Sequence, residues 1–224
     1  MKDKTTQDPV PLPVLRGGSI EDTLTGFRDR IERDERIGQR TERRLSMVFA
    51  DIRGWKKIIE RAGVETAATL SHQVVERAIE VVADFGGTEV KVSGEPTRPR
   101  ITASFDGDDG ADRAVRAAWA IRNITTESMH PAFGRDRFQA CIGINTGTVA
   151  ETQMSGSGMQ FRSTGTVKMF GQRLQEFSGP GQVLISAETY NDVADKVRVR
   201  SLGSVRTNSD GSKQMAYCVL ELLG

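Results

Sequence analysis

The feature that most constrains this chain is a short apolar run, Leu45–Ile52 (LSMVFADI), which ends in a carboxylate. A run of that length bounded by charged residues reads as a buried strand. Helical periodicity follows over residues 55–84, where Ile58, Ile59, Ala62, Leu70, Val74, Val75, Ala78, Ile79 and Val82 line one side. Gly63 divides this stretch into two helices, and Gly86 and Gly87 stop the second. The segment TEVKVSG then alternates as a strand, and RITASF is its partner across GEPTRP, a turn with two prolines.

The cluster DGDDGAD caps a helix over residues 111–124. FQACIGINTG is a further strand, followed by GTVAET, a helix over 166–178 and the strand QVLIS. RVRSLGSVRT and QMAYCVLEL close the chain as strands around a turn at Asn208–Gly211. Strand, helix, hairpin, helix, strand is an α+β order, with a mostly antiparallel sheet covered by helices on one face.

Length sets the scale: 224 residues suit one domain and a tail. Residues 1–18 are polar and rich in Pro and Gly, and read as a flexible tail. Residues 19–43 read as a helical linker. Ser19 is its N-cap, and Ile20, Leu24, Phe27 and Ile31 form one stripe that fades in the mixed charge of RIERDERIGQRTERR. This linker either packs on its own domain or forms a short dimerising helix. The globular domain spans 44–224.

With 31 basic and 30 acidic side chains the net charge is +1, so no global field favours nucleic acid or anionic lipid. Aromatic residues make up 6%, and no basic stripe is interleaved with them. No stretch approaches the ~18 apolar residues of a membrane span, and the first residues lack the apolar core of a signal peptide. The expectation is a cytoplasmic protein without a membrane or nucleic-acid partner. Cys141 and Cys218 sit in apolar strand-like runs and read as buried reduced thiols. His72 and His130 are too few and too scattered for a histidine-based site.

Four stretches together resemble the catalytic domain of class III adenylate and guanylate cyclases. They are Phe49-Ala-Asp-Ile-Arg-Gly-Trp55, Gly86-Gly-Thr-Glu-Val-Lys-Val-Ser-Gly94, Gly143-Ile-Asn-Thr-Gly147 and Pro180-Gly-Gln-Val-Leu-Ile-Ser186. Their order and approximate spacing match over about residues 44–222. The resemblance implies a ferredoxin-like βαββαβ core. It also implies cyclisation of a nucleoside triphosphate to a 3′,5′-cyclic monophosphate and pyrophosphate. Such chemistry clamps attacking and leaving oxygens with two divalent cations, Mg or Mn, held by paired carboxylates. It also needs a cation on the phosphoryl oxygens and a group that orients the ribose.

Carried over residue by residue, the resemblance makes Asp51 and the backbone carbonyl of Ile52 metal ligands; capping the following helix is the plain alternative for Asp51. Glu95 stands where the family has the second metal Asp, but Pro96 and an apparent insertion follow it, and a surface turn residue is an equal reading. Lys91 falls on the base-reading lysine, with a solvated strand residue as the alternative. Arg162 falls on its partner position; having donors and no acceptor, it does not suit adenine. In the helix from Gly165, Arg173 is retained, whereas Met169 replaces the ribose-binding Asn of Asn-x-x-x-Arg. Lys213 is the nearest candidate for the transition-state lysine, and Lys168 is another basic group nearby.

In this family the sites lie between two subunits, metals on one and the Asn and Arg on the other. The partner is therefore a second copy or another cyclase-like chain. Two readings follow. One is a degenerate cyclase homologue acting as a nucleotide-binding, dimerisation or regulatory module. The other is an active, unusual cyclase, such as the stand-alone bacterial enzymes that make cyclic pyrimidine nucleotides in anti-phage signalling.

Overall fold

The computed structural model describes residues 37–95, 98–127, 138–154, 160–207 and 212–223. Its elements run β1 (Ile37–Arg53), α1 (Trp55–Asp84), β2 (Thr88–Glu95), β3 (Arg98–Asp106), α2 (Gly110–Glu127), β4 (Gln139–Met154), β5 (Gln160–Ser163), α3 (Gly165–Phe177), β6 (Val183–Ser186), α4 (Ala187–Val193), β7 (Val197–Arg206) and β8 (Lys213–Leu222). Arg40–Glu151 with Arg162–Gly224 form one compact unit.

The strands form one sheet in the order β2-β3-β1-β4-β6-β8-β7, with β5 paired to β4. The pairs β1–β3, β2–β3, β6–β8 and β7–β8 are antiparallel, and β4–β6 is parallel. The α+β reading and its mostly antiparallel sheet therefore hold.

Period-two alternation divides the sheet into two faces. Val48, Ala50 and Ile52 of β1, Ile101, Ala103 and Phe105 of β3, and Ile142 and Ile144 of β4 belong to the main core. Trp55, Ile58, Ala67, Val74, Ala78 and Val82 of α1 and Ala114, Ala118 and Ile121 of α2 close that core from above. The periodic residues of 55–84 thus find their sheet, and the helix breaks at Gly63 (φ 81°) as its sequence implies. Short α4 joins the same layer through Val193.

One correction concerns α3, which lies on the opposite face. Phe170 and Leu174 pack there against Leu184, Ala216 and Cys218. Helices therefore cover both faces, because β6 and β8 carry apolar residues on both. Gly143 makes the contact possible. A Cβ there would stand 2.2 Å from the Gln175 nitrogen and 2.4 Å from the Gly171 oxygen, so the α3 and β4 backbones nearly touch.

Other differences are local. Residues 37–43, the end of the proposed linker helix, are strand, the first part of a β1 that is 17 residues long. A charged run without an apolar stripe suits an exposed strand as well as an exposed helix. The tail and residues 19–36 lie outside the described residues. Helix α4, with 7 residues, is too short to show periodicity. It is held instead by hydroxyls: Ser186 accepts from the Thr189 amide, and Thr189, Thr146 and Ser46 form a buried chain. Both cysteines are buried free thiols. Among the described residues, no helix is long and apolar enough to cross a membrane.

Candidate functional site

Asp51 ends the core part of β1 and points to the face away from α1, since Ala50 and Ile52 point into the main core. The register of β1 with β3 sets Arg100 directly opposite Asp51. Arg98 lies two residues from Arg100, and Arg53 two residues from Asp51. Residues two apart along a strand share a face, so four charged side chains gather at one corner of the sheet.

The contacts are direct. Arg98 donates from Nη2 to Asp51 Oδ2 at 2.9 Å and from Nε to Oδ1 at 3.3 Å. Arg53 donates from Nε to Oδ2 at 3.1 Å, and Arg100 Nε stands 4.0 Å from Oδ1. The Asp51 side chain is 2% exposed, whereas that of Arg98 is 53% exposed. Asp51 is thus a desolvated anion whose partners reach in from solvent. Unit charges about 4 Å apart attract by ~4 kcal/mol at an effective dielectric of ~20. That is of the order of the several kcal/mol lost on burying the carboxylate. The same contact holds the Arg98 guanidinium above its ordinary range, chiefly through the hydrogen bond to Asp51.

Ile52 is occupied as well. Its carbonyl accepts a hydrogen bond from the Trp55 indole Nε1–H at 2.9 Å. Trp55 is 4% exposed and packs on Phe138, with ring centroids 3.9 Å apart.

The hairpin explains how Arg98 reaches Asp51. Strands β2 and β3 pair to their very ends, Gly94 opposite Pro99 and Glu95 opposite Arg98. Arg98 and Pro99, which look like part of an insertion in the sequence, therefore belong to the paired strands of the hairpin. Gly94 has φ 94°, and a Cβ there would meet the Arg98 carbonyl at 2.4 Å, so glycine is required. Glu95 is exposed, at the end of the edge strand.

The metal pair implied by the resemblance needs carboxylates open to a cation. Here one is turned to three guanidinium groups, the Ile52 carbonyl accepts from Trp55, and Glu95 stands opposite an arginine. Among the described residues, no group of three or more His, Cys, Asp or Glu is placed to hold a metal ion. The residues present do not fit a two-metal centre.

The remaining candidates stand elsewhere. Lys91 is exposed on β2, opposite Thr102. Met169 is 47% exposed on α3. Arg173, one turn along, donates to Glu176 at 2.7 Å and lies 5.0 Å from the Phe177 ring. Lys213 is exposed at the start of β8, opposite Arg206. That strand is three places from β1, roughly 14 Å at the usual strand spacing. Arg162 lies on β5, and its side chain is outside the described residues. Within one chain, then, Asp51 and Ile52 are adjacent to the Glu95 hairpin, and Lys213 is not brought to them. Sequence reasoning missed Arg53, Arg98, Arg100 and Trp55. The alternation Arg98-x-Arg100 beside Asp51-x-Arg53 was the available signal.

A cavity of about 560 Å³ opens beside this corner, lined by Arg53, Trp55, Lys56, Glu60, Glu95 and Arg98 among others. A narrower polar groove of about 190 Å³ runs between Arg100 and the α3 residues Gln172, Gln175 and Glu176.

A mostly antiparallel sheet with a strand-end carboxylate beside a two-strand hairpin is the arrangement that the sequence resemblance implies. The profile of the adenylate and guanylate cyclase catalytic domain matches residues 38–221, and the chain belongs to that family. Solved structures agree in fold. The adenylyl cyclase CyaB from P. aeruginosa superposes with a TM-score of 0.67 at 22% identity, covering 82% of this chain and 96% of that one. The guanylate cyclase domain of RhGC from Catenaria anguillulae, solved with GTP, gives 0.64 at 21% identity over 82% and 100%. A dimeric guanylyl cyclase domain of the RhoGC fusion protein from Blastocladiella emersonii gives 0.64 at 19% identity over 83% and 100%. No curated protein sequence matches this chain.

Proposed function

We propose that this chain is a divergent cyclase homologue with little or no cyclase activity. It acts as a nucleotide-binding or dimerisation module that regulates a partner. One observation carries this reading: at the position of the first metal carboxylate, Asp51 is paired at 2.9 Å with Arg98 of the same chain. Function rests on the site and not on the fold. The ribose position, Met169, adds an apolar side chain where a hydrogen bond is needed.

Association with a second copy or with another cyclase-like chain is part of the proposal. Met169 and Phe177 on α3, and Val90 and Val92 on β2, are exposed apolar residues that a partner would cover. The Blastocladiella guanylyl cyclase domain has been solved both as a non-canonical dimer and as a monomer, so the family fold is seen with and without a partner.

The second reading, an active cyclase on an unusual triphosphate, draws on the cavity beside Asp51, which has room for a ligand. The Catenaria relative was solved with GTP. In that reading Arg98 would have to leave Asp51 before any cation arrived.

Incubation of the purified chain with ATP, GTP, CTP or UTP and Mn²⁺, with products read by mass spectrometry, separates the two. The proposal expects no cyclic monophosphate from a folded protein. A product that disappears in Asp51→Ala would establish the second reading instead.

A further inference from the structure

The family's metal corner is filled by protein groups from two directions. Arg98 engages both carboxylate oxygens of Asp51 and Arg53 adds a second bond to Oδ2, and the Trp55 indole donates to the Ile52 carbonyl. Neither is an accident of a loose surface. Arg98 is positioned by a hairpin paired to its last residue, with Gly94 shaped to admit its backbone. Trp55 is buried in the main core, where its ring packs on that of Phe138. A guanidinium has donors in a fixed fork that matches a carboxylate, so it satisfies Asp51 as an anion without a metal.

We propose that Arg98, together with Trp55, is a built-in substitute for the divalent cation at Asp51 and Ile52, and that this corner excludes Mg and Mn. A divalent ion arriving there would have to displace Arg98 and share the carboxylate with Arg53 and Arg100. It would also have to compete with the indole for the Ile52 carbonyl. Arg98 and Trp55 are positioning and excluding residues; neither is assigned a catalytic role. This inference rests on the reading of the site as altered, and it concerns cation binding in the absence of any nucleotide.

The test is a Mn²⁺ titration of the full chain without nucleotide, followed by electron paramagnetic resonance of free Mn²⁺. The parent chain and Asp51→Asn are expected to bind Mn²⁺ equally, with no Asp51-dependent site. Arg98→Ala/Trp55→Phe is expected to gain a site at least about tenfold tighter, which adding Asp51→Asn removes. Mn²⁺ binding by the parent chain that Asp51→Asn abolishes would overturn the proposal. So would a folded Arg98→Ala/Trp55→Phe chain that gains no site.

A readout on the unmodified chain guards against a variant that fails to fold. The Trp55 indole N–H resonance is expected to stay sharp when Mn²⁺ is added, with Trp119 as the internal reference, and selective broadening of Trp55 would overturn the idea. Turnover is read separately. A cyclic product from the parent chain would sink the proposed function, whereas Asp51-dependent Mn²⁺ binding without product would sink only the exclusion.

Discussion

At the end of β1, a buried carboxylate is enclosed by three arginines from two strands. On the outer face of α3, an exposed methionine and an arginine engaged with its own helix look toward solvent. The resemblance implies family chemistry at both places, and in the proposed reading they depart from it in opposite ways. The first has become self-sufficient, its anion neutralised within the chain. The second has become apolar and outward-facing, which suits a partner surface more than a ribose. Loss of a site by drift would leave unpaired polar groups. At the β1 corner the polar groups are instead satisfied.

The largest effect expected in testing this contrast comes from Gly143→Ala. The new Cβ meets α3 backbone on two sides, which cannot retreat as a side chain would. Overpacking of this kind costs about 3 kcal/mol or more, and a thermal melt should fall by roughly 10 °C. If α3 is seated independently of the β1 corner, the Asp51–Arg98 coupling survives in this variant.

Next in size is the coupling itself. A double-mutant cycle of Asp51→Asn and Arg98→Ala, read by denaturant unfolding, should give an interaction of about 1–3 kcal/mol. The 3–5 kcal/mol typical of breaking a fully buried pair is not expected, because Arg98 is half exposed and Arg53 still reaches Asp51. A coupling near zero would make the corner an ordinary surface ion pair and remove the contrast.

Restoration probes both regions at once. Met169→Asn with Glu95→Asp should yield no cyclic nucleotide by mass spectrometry. Adding Arg98→Ala and Trp55→Phe should allow a slow product, since the groups that hold the Asp51 carboxylate and the Ile52 carbonyl are then removed. Product from the first pair alone would mean that Arg98 is no obstacle.

The smallest effect is assigned to Arg173→Ala. Its pair with Glu176 is exposed on both sides, and such pairs contribute within about 0.5 kcal/mol. A chemical melt should scarcely move. If Arg173 faces a partner chain, the change appears in the concentration dependence of the molar mass.

Much of the fold was legible along the chain. The alternation of β1 and β3, the stripe of α1 and the glycines at 63, 86 and 87 each carry a local physical signal. They determine where strands and helices run, which face is apolar and where breaks fall. Asp51 was legible for the same reason: a carboxylate ending an apolar strand stands out. Helix α4 was not, because a helix of two turns is held by tertiary hydroxyl contacts and not by periodicity. The side of the sheet that α3 covers was not legible either, since β6 is buried along all its residues and offers no polar face to exclude.

By itself, then, the sequence determined the family, the order of the longer core elements and the place of one acid at the end of an apolar strand. Only the tertiary structure decided what that acid does. Asp51 and Arg98 are far apart in the chain, and the register of β1 on β3 and of β3 on β2 sets them at one corner. Local sequence carries propensity and period. Cross-strand register, which decides whether a carboxylate meets a guanidinium or a metal, comes from pairing over the whole sheet.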